Sequence, residues 1–258
     1  MNRAVCEAWL ARFRADPLAW PFREAMARLE GTALDVATLA IALDPLAGVH
    51  FAVSAKPLRK RRGQQAPRDV TAYDRSIVEQ RVVPTRGDNA HDLANALAWA
   101  VFPASKTALH ARQLVAVREA HARASDRPWT RSPEGDALAM LDEGGIPVVV
   151  NQALAEDVSR KLLAGDDEAI AEHAARGETL GIVFGHGLLE HLGRERDASW
   201  RPMAGMAVAL PFAGDPRRVP LADVDLALAA RIADPASFRL RTGYGIGSAT
   251  PSVLGRGS

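Results

Sequence analysis

Apolar residues recur at helical spacing along most of this chain. Residues 3–14 place Val5, Trp9 and Phe13 on one face and charged residues on the other, a pattern typical of an amphipathic helix. Similar patterns predict helices after Pro21, over residues 33–43, after Thr71, over 90–101, 106–122, 133–143, 152–163 and 166–175, after Gly187, and over 220–233. The chain is therefore predicted to be mainly helical.

Four short runs typical of β-strands interrupt the helical pattern. They are His50–Ser54, Ile146–Val150, Leu180–Phe184 and Met206–Leu210, and each is flanked by residues that favour turns. Pro147 suits the start of a strand or an edge strand. The predicted class is α+β, predominantly helical with about four short strands, in which a helical hairpin packs against a small sheet.

The predicted hairpin lies in the stretch 82–110. Asp88 or Asn89 is well placed to cap a helix that begins at Ala90. That helix would put His91 and Asn95 on one line. Phe-Pro at 102–103 ends it, Ser105 can cap the next helix, and the two helices then form a hairpin or corner.

Composition limits the classes of function. The 258 residues are 48% hydrophobic, which is enough for a sizeable core. We expect one globular domain over residues 1–241. The tail over residues 242–258 is rich in Gly and Ser and is expected to be disordered. Cys6 is the only cysteine, which excludes an intrachain disulfide and a thiolate-rich zinc site. Any metal must then be held by histidine and carboxylate, and a reducing cytoplasm is the expected location.

Charge and hydropathy bear on the expected partners. The formal net charge is +1, which argues against a nucleic-acid partner except through the basic run Lys56–Arg62. That run is interpreted as a solvated loop, with a phosphate-contacting loop as the alternative. The N-terminus has neither a signal-peptide nor an anchor pattern, and no window reaches the roughly 18 apolar residues of a membrane span. We expect a soluble protein that can take a small-molecule ligand.

Several short motifs resemble one known family. They are Val-Pro-Thr-Arg at 83–86, Asn-Ala-His-Asp-Leu at 89–93, Asn-Ala-Leu at 95–97, Trp99, Phe-Pro at 102–103, Lys106, Tyr-Asp at 73–74, Leu-Asp-Glu-Gly-Gly at 141–145 and Phe-Gly-His at 184–186. Together they resemble the signature of the bacterial family known as domain of unknown function 3025, over about residues 50–210. The resemblance implies a soluble bacterial domain without an established activity.

The polar residues within these motifs form the candidate site. On a helix after Gly185, His186 and Glu190 lie four residues apart on one face, and His91 can supply the other half of a site. We expect these three residues to hold a divalent metal ion or to shuttle protons. The other expected participants are Asp92 in catalysis, Arg86, Asn95 and Lys106 in substrate binding, and Asp142 and Glu143 at a helix end.

Structural alternatives remain open for the same residues. His91 can pack under the hairpin against a carboxylate, Asp92 can complement the helix dipole, and Asn95 can bridge helices. Asp142 and Glu143 can lie in an exposed loop. Trp99 is predicted to lie in the core, and four further histidines are predicted to be solvated: His110, His121, His173 and His191.

Two function hypotheses follow. The first is metal-assisted hydrolysis of a small or phosphorylated substrate, with Arg86 meeting an anionic group. The second is a non-catalytic binding or scaffold protein, in which the network of His, Asn and Glu side chains is structural.

Overall fold

The computed structural model describes residues 2–53, 69–124, 131–195 and 206–238. Within them the helices are α1 Arg3–Ala15, α2 Arg23–Arg28, α3 Val36–Ala42, α4 Asp44–Ala47, α5 Ala72–Gln80, α6 Ala90–Val101, α7 Pro103–Ala124, α8 Pro133–Gly144, α9 Ala155–Ala164, α10 Asp167–Ala175, α11 His186–Leu192 and α12 Leu221–Ala233. The strands are β1 His50–Val53, β2 Val82–Thr85, β3 Gly145–Asn151, β4 Thr179–Gly181 and β5 Met206–Phe212. The α+β class with mainly helical content is confirmed.

The strands form two small sheets. β1 and β2 pair in parallel, with His50 opposite Val82. In the second sheet the order is β4-β3-β5, antiparallel between β3 and β4 and parallel between β3 and β5. Pro147 therefore stands near the start of a central strand, where its carbonyl accepts a hydrogen bond from the backbone N–H of Ile182 at 2.9 Å.

A series of aromatic rings runs through the core toward the candidate site. Phe13, Phe22, Phe102 and Phe184 contact one another in that order, with ring centroids 5.8, 6.1 and 5.4 Å apart and edge-to-face angles of about 70°. Edge-to-face pairs add to the free energy gained by burying the rings. Phe184 is fully buried and stands two residues before His186, so this packing fixes the position from which α11 begins.

α6 and α7 follow each other directly at Phe102, as predicted for a hairpin or corner, but the cap of α7 comes from elsewhere. Asn89 caps α6 by accepting a hydrogen bond from the backbone N–H of Asp92 at 2.9 Å. α7 begins at Pro103, before Ser105, and the carboxylate of Asp225 in α12 accepts from the backbone N–H groups of Ala104 and Ser105 at 2.9 and 2.7 Å. α7 packs on α12 and α8, which in turn contact the three-stranded sheet.

Other expectations needed correction or fall outside the described residues. β2 was not predicted, and the predicted strand 180–184 ends at Gly181. Lys56–Arg62 and the tail 242–258 lie outside the described residues. No helix within the described ranges is both long and apolar enough to span a membrane.

Candidate metal centre

Three side chains from three helices meet at one point. His91 lies in the first turn of α6, His186 begins α11, and Glu143 lies near the C-terminal end of α8. The two Nε2 atoms of the histidines are 3.0 Å apart. Oε1 of Glu143 is 3.6 Å from Nε2 of His186 and 3.9 Å from Nε2 of His91. One ligand atom from each residue thus lies within 4.8 Å of the others.

Two glycines allow α11 to approach the end of α8 this closely. A Cβ at Gly185 would lie 2.4 to 2.6 Å from backbone atoms of residues 143–145, and one at Gly187 would lie 2.7 Å from the carbonyl oxygen of Glu143. Such contacts are too short for any side chain, so glycine is required for close backbone packing at both positions. This packing brings His186 and Glu143 together.

The outer nitrogen of each histidine faces a carboxylate. Nδ1 of His91 lies 3.1 Å from Oε2 of Glu190. Nδ1 of His186 is buried and lies 3.4 Å from Oδ1 of Asp142. A carboxylate on the non-ligating nitrogen is a frequent feature of histidines that bind metal, because it fixes the tautomer and the ring orientation.

The two carboxylates are kept ionised by basic neighbours. Burial raises the pKa of Asp142, but the charges of Lys106 and His186 outweigh it and hold that pKa well below its ordinary value. Burial also opposes ionisation of Glu190, and hydrogen bonds from Arg194 and His91 lower its pKa overall. Each carboxylate is therefore negative at neutral pH and favours a proton on the Nδ1 atom that it faces.

The facing Nε2 atoms then favour a positive charge between them. With protons on both Nδ1 atoms, a neutral pair would point two lone pairs at each other across 3.0 Å. A metal ion, one additional proton, or a change of tautomer that costs one ring its Nδ1 proton removes that repulsion. Metal–nitrogen bonds of about 2.0–2.1 Å at a tetrahedral angle place two ligand atoms roughly 3.3–3.4 Å apart. The nitrogen pair is close to this spacing, and Glu143 reaches it by a small movement of its half-exposed side chain.

Glu190 does not complete the expected ligand set. We expected it to bind a metal with His91 and His186, but its carboxylate lies on the Nδ1 side of His91, whereas the nitrogens that meet are both Nε2. An ion between those nitrogens lies across the imidazole ring from Glu190. The geometry therefore places Glu143 at the third ligand position and Glu190 behind His91.

The other expected site residues lie around this centre. Asp92 is buried, and its carboxylate accepts hydrogen bonds from the backbone N–H and the guanidinium of Arg86, with NH2 to Oδ1 at 3.0 Å. Asn95 is buried and donates from Nδ2 to the hydroxyl oxygen of Tyr73 at 3.4 Å. Lys106, expected to bind substrate, has a side chain only 1% exposed and forms an ion pair with Asp142. Its ammonium group is therefore paired with Asp142 inside the protein and is not exposed to solvent.

Two histidines predicted to be solvated are buried. His110 pairs through Nδ1 with Oδ1 of Asp74 at 2.9 Å, and His173 pairs through Nδ1 with Oε2 of Glu178 at 2.7 Å. The sequence did contain an indication that His110 lies beside the candidate site. His110 follows Lys106, a residue of the family motif, by four positions and therefore shares its face of α7.

Comparison with known proteins identifies the family but not an activity. No curated protein and no solved structure matches the chain. The model of the family described as "Protein of unknown function (DUF3025)" matches residues 61–242, well over half of the chain. That range includes His91, Glu143, His186 and Glu190. The chain therefore belongs to the family of proteins of unknown function DUF3025.

Proposed function

We propose that this protein is a metal-dependent hydrolase in which His91, Glu143 and His186 hold one divalent cation. The observation that carries the proposal is the pair of Nε2 atoms 3.0 Å apart, each on a ring whose other nitrogen faces a carboxylate. Two histidines and one carboxylate form a ligand set common to catalytic zinc and iron sites.

The ligand arrangement leaves one side of the centre accessible. The side chain of Glu143 is 56% exposed, and three protein ligands leave at least one coordination position for water or substrate. A divalent cation at such a position supplies a Lewis acid that activates water at neutral pH. This supports hydrolysis of a small or phosphorylated substrate as the reaction.

The surrounding residues have supporting roles in this proposal. Glu190 and Asp142 orient the two imidazole rings, and Lys106 holds Asp142 in place. Arg86 is half exposed, and the carboxylate of Asp92 raises its pKa. Because Arg86 stays charged close to the start of α6, we propose that it favours the approach of an anionic substrate.

The proposed location is the cytoplasm, and the proposed unit is one globular domain over residues 1–241. A single cysteine, Cys6, which is free and buried, supports a reducing compartment. A small-molecule substrate, rather than a nucleic acid, is supported by the near-neutral net charge.

Hydrolysis can be tested with two chromogenic substrates, p-nitrophenyl phosphate and p-nitrophenyl acetate. Protein purified without chelator should hydrolyse at least one, lose that activity after dialysis against a chelator, and regain it with Zn²⁺ or Mn²⁺. His186→Ala should abolish the activity. His121→Ala, which changes an exposed histidine of α7, should retain it. Activity that survives both the chelator and His186→Ala would refute the proposal.

A non-catalytic scaffold is the second candidate function. It is supported by polar side-chain contacts around the site that join several helices. Nε1 of Trp9 in α1 donates to the carbonyl oxygen of Glu190 at 3.0 Å, and buried Lys106 joins α7 to the end of α8. If the network is only structural, His186→Ala lowers the melting temperature but the protein binds no stoichiometric metal. Elemental analysis of the purified protein distinguishes the two candidates.

A further inference from the structure

A cavity adjoins the candidate metal centre. It has a volume of about 270 Å³ and is bounded by α5, α7 and α8. Its lining includes Asp74, His110, Arg131 and, at the end of α8, Asp142 and Glu143. At roughly 30 Å³ for each water molecule, the volume is equivalent to about nine waters, which suits a small organic molecule. The end of α8 thus contributes side chains to both the metal centre and the cavity.

His110 is a buried residue in the lining of this cavity. Only 1% of its surface is exposed, and Nδ1 lies 2.9 Å from Oδ1 of Asp74. Trp99 stacks flat against the ring, with centroids 5.5 Å apart at an angle of 3°. Asp74 and Trp99 therefore hold the ring in one orientation. Nε2 is fully buried and has no hydrogen-bond partner among the described residues.

An unpartnered buried nitrogen is costly. Leaving a buried donor or acceptor without a partner costs about 1–3 kcal/mol, so such atoms usually meet a ligand or ordered water. With the Nδ1 proton directed at Asp74, Nε2 accepts a hydrogen bond when the ring is neutral and donates one when the ring is protonated. Both states match a hydroxyl group of a ligand, which can donate and accept.

Arg131 gives the cavity a positive charge on its solvent side. Its side chain is 51% exposed, and its ion pair with Asp136 is long, at 3.9 Å. Two of the lining carboxylates are already engaged, Asp74 with His110 and Asp142 with Lys106. Among the described residues, Arg131 is a lining cation with only this long ion pair, and guanidinium groups favour phosphate and carboxylate oxygens.

We propose that this cavity is the substrate pocket and that it binds a small hydroxylated organic anion. A phosphate or carboxylate group meets Arg131, and a hydroxyl group meets Nε2 of His110. A molecule held in this way lies beside Glu143 and hence beside the metal centre. The role as a substrate pocket rests on the proposed metal-dependent hydrolysis, whereas binding of the anion can be measured without the metal.

The test is nuclear magnetic resonance of protein labelled with ¹⁵N at its seven histidines. The signals of His110 are assigned with His110→Gln or, if that variant does not fold, from contacts with the ring protons of Trp99. The probes are glycerol 3-phosphate, glycerate and uncharged glycerol. Each is titrated into protein loaded with Zn²⁺ and into protein dialysed against a chelator.

We expect at least one anion to shift the His110 ring nitrogens saturably in both forms of the protein, with glycerol ineffective. The tighter of the two anions identifies phosphate or carboxylate as the preferred group. Arg131→Gln should weaken binding by about tenfold, the loss expected for one charge-assisted hydrogen bond. Arg123→Gln, which changes a more exposed arginine outside the cavity lining, should not change the affinity.

Three results would overturn the assignment: no saturable shift at His110 with either anion, an equal response to glycerol, or binding that is insensitive to Arg131→Gln. The first or second result would mean that the cavity holds water. If such a result occurs while Zn²⁺ still binds stoichiometrically, the pocket assignment fails and the metal centre stands. If the anion binds but Zn²⁺ does not, the proposed hydrolase fails while the anion site stands.

Discussion

Asp142→Asn should destabilise the protein by removing the charge that balances Lys106. The lysine side chain is 1% exposed and that of its partner is 14% exposed, so water cannot replace the lost carboxylate. Breaking one side of a buried ion pair costs about 3–5 kcal/mol. At pH 7 we expect a loss of about 4 kcal/mol, which for a protein of this size lowers the melting temperature by roughly 8–16 °C.

The pH dependence of this loss follows from the direction in which folding shifts the pKa of Asp142. That pKa is lower in the folded protein than its ordinary value of 3.8, so the carboxylate stabilises the fold at every pH above that value. The contribution is lost as the pH falls from 3.8 through the folded-state pKa. The difference between wild type and Asp142→Asn should therefore be constant above about pH 5 and shrink in acid.

The assay is denaturant unfolding followed by circular dichroism, with a double-mutant cycle. Lys106→Met combined with Asp142→Asn leaves no unpaired charge, and the double variant should recover at least about 2 kcal/mol relative to the sum of the single losses. Glu79→Gln is the control, because Glu79 pairs with Arg118 at 2.9 Å at the surface, where a pair contributes about 0.2–1 kcal/mol. A loss below about 1 kcal/mol for Asp142→Asn, or one that does not shrink in acid, would refute the reasoning.

Two further predictions concern the helices that frame the site. Asp225→Ala leaves two backbone N–H groups at the start of α7 without their acceptor and should cost about 2–3 kcal/mol in urea unfolding. Asp223→Ala, an exposed change on the same helix, should cost far less, and equal losses would contradict the capping role. Gly185→Ala forces a Cβ against backbone atoms at 2.4 Å, so it should cost about 1–3 kcal/mol and weaken metal binding. Gly87→Ala meets only side-chain atoms, the nearest at 3.3 Å, and serves as the control; unchanged metal affinity in Gly185→Ala would contradict the packing role.

Local sequence signals predicted the helices well because their determinants are local. Asn89 was one of the two residues predicted to cap α6, and it accepts a hydrogen bond from the backbone N–H three residues on. Strand pairing depends on distant residues, and β2 was missed because four residues with a proline carry little periodic signal. Likewise β4 ends at Gly181, before the predicted end at Phe184, because Pro147 lies opposite Ile182 and has no N–H with which to return the hydrogen bond.

The sequence indicated which residues belong to the candidate site better than it indicated how they are arranged. His91 and His186 were paired from their motifs, and their Nε2 atoms do meet. The spacing of His186 and Glu190 shows that both lie on one helical face, but not which ring nitrogen a carboxylate approaches. Glu143 reaches the histidines because of the close contact at Gly185, a tertiary feature without a periodic signal. The burial of Lys106 could not be predicted for a similar reason, because its partner Asp142 lies 36 residues away in the sequence.

The most direct test of the metal centre is isothermal titration of Zn²⁺ into protein freed of metal by a chelator. We predict one ion per chain, an affinity that falls as the pH is lowered because protons compete for the imidazoles, and loss of most of that affinity in Glu143→Gln. Glu190→Gln, which changes the residue behind His91, should weaken binding by about 10–100-fold without abolishing it. Absence of saturable binding, or wild-type affinity in Glu143→Gln, would contradict the assignment of His91, Glu143 and His186 as metal ligands.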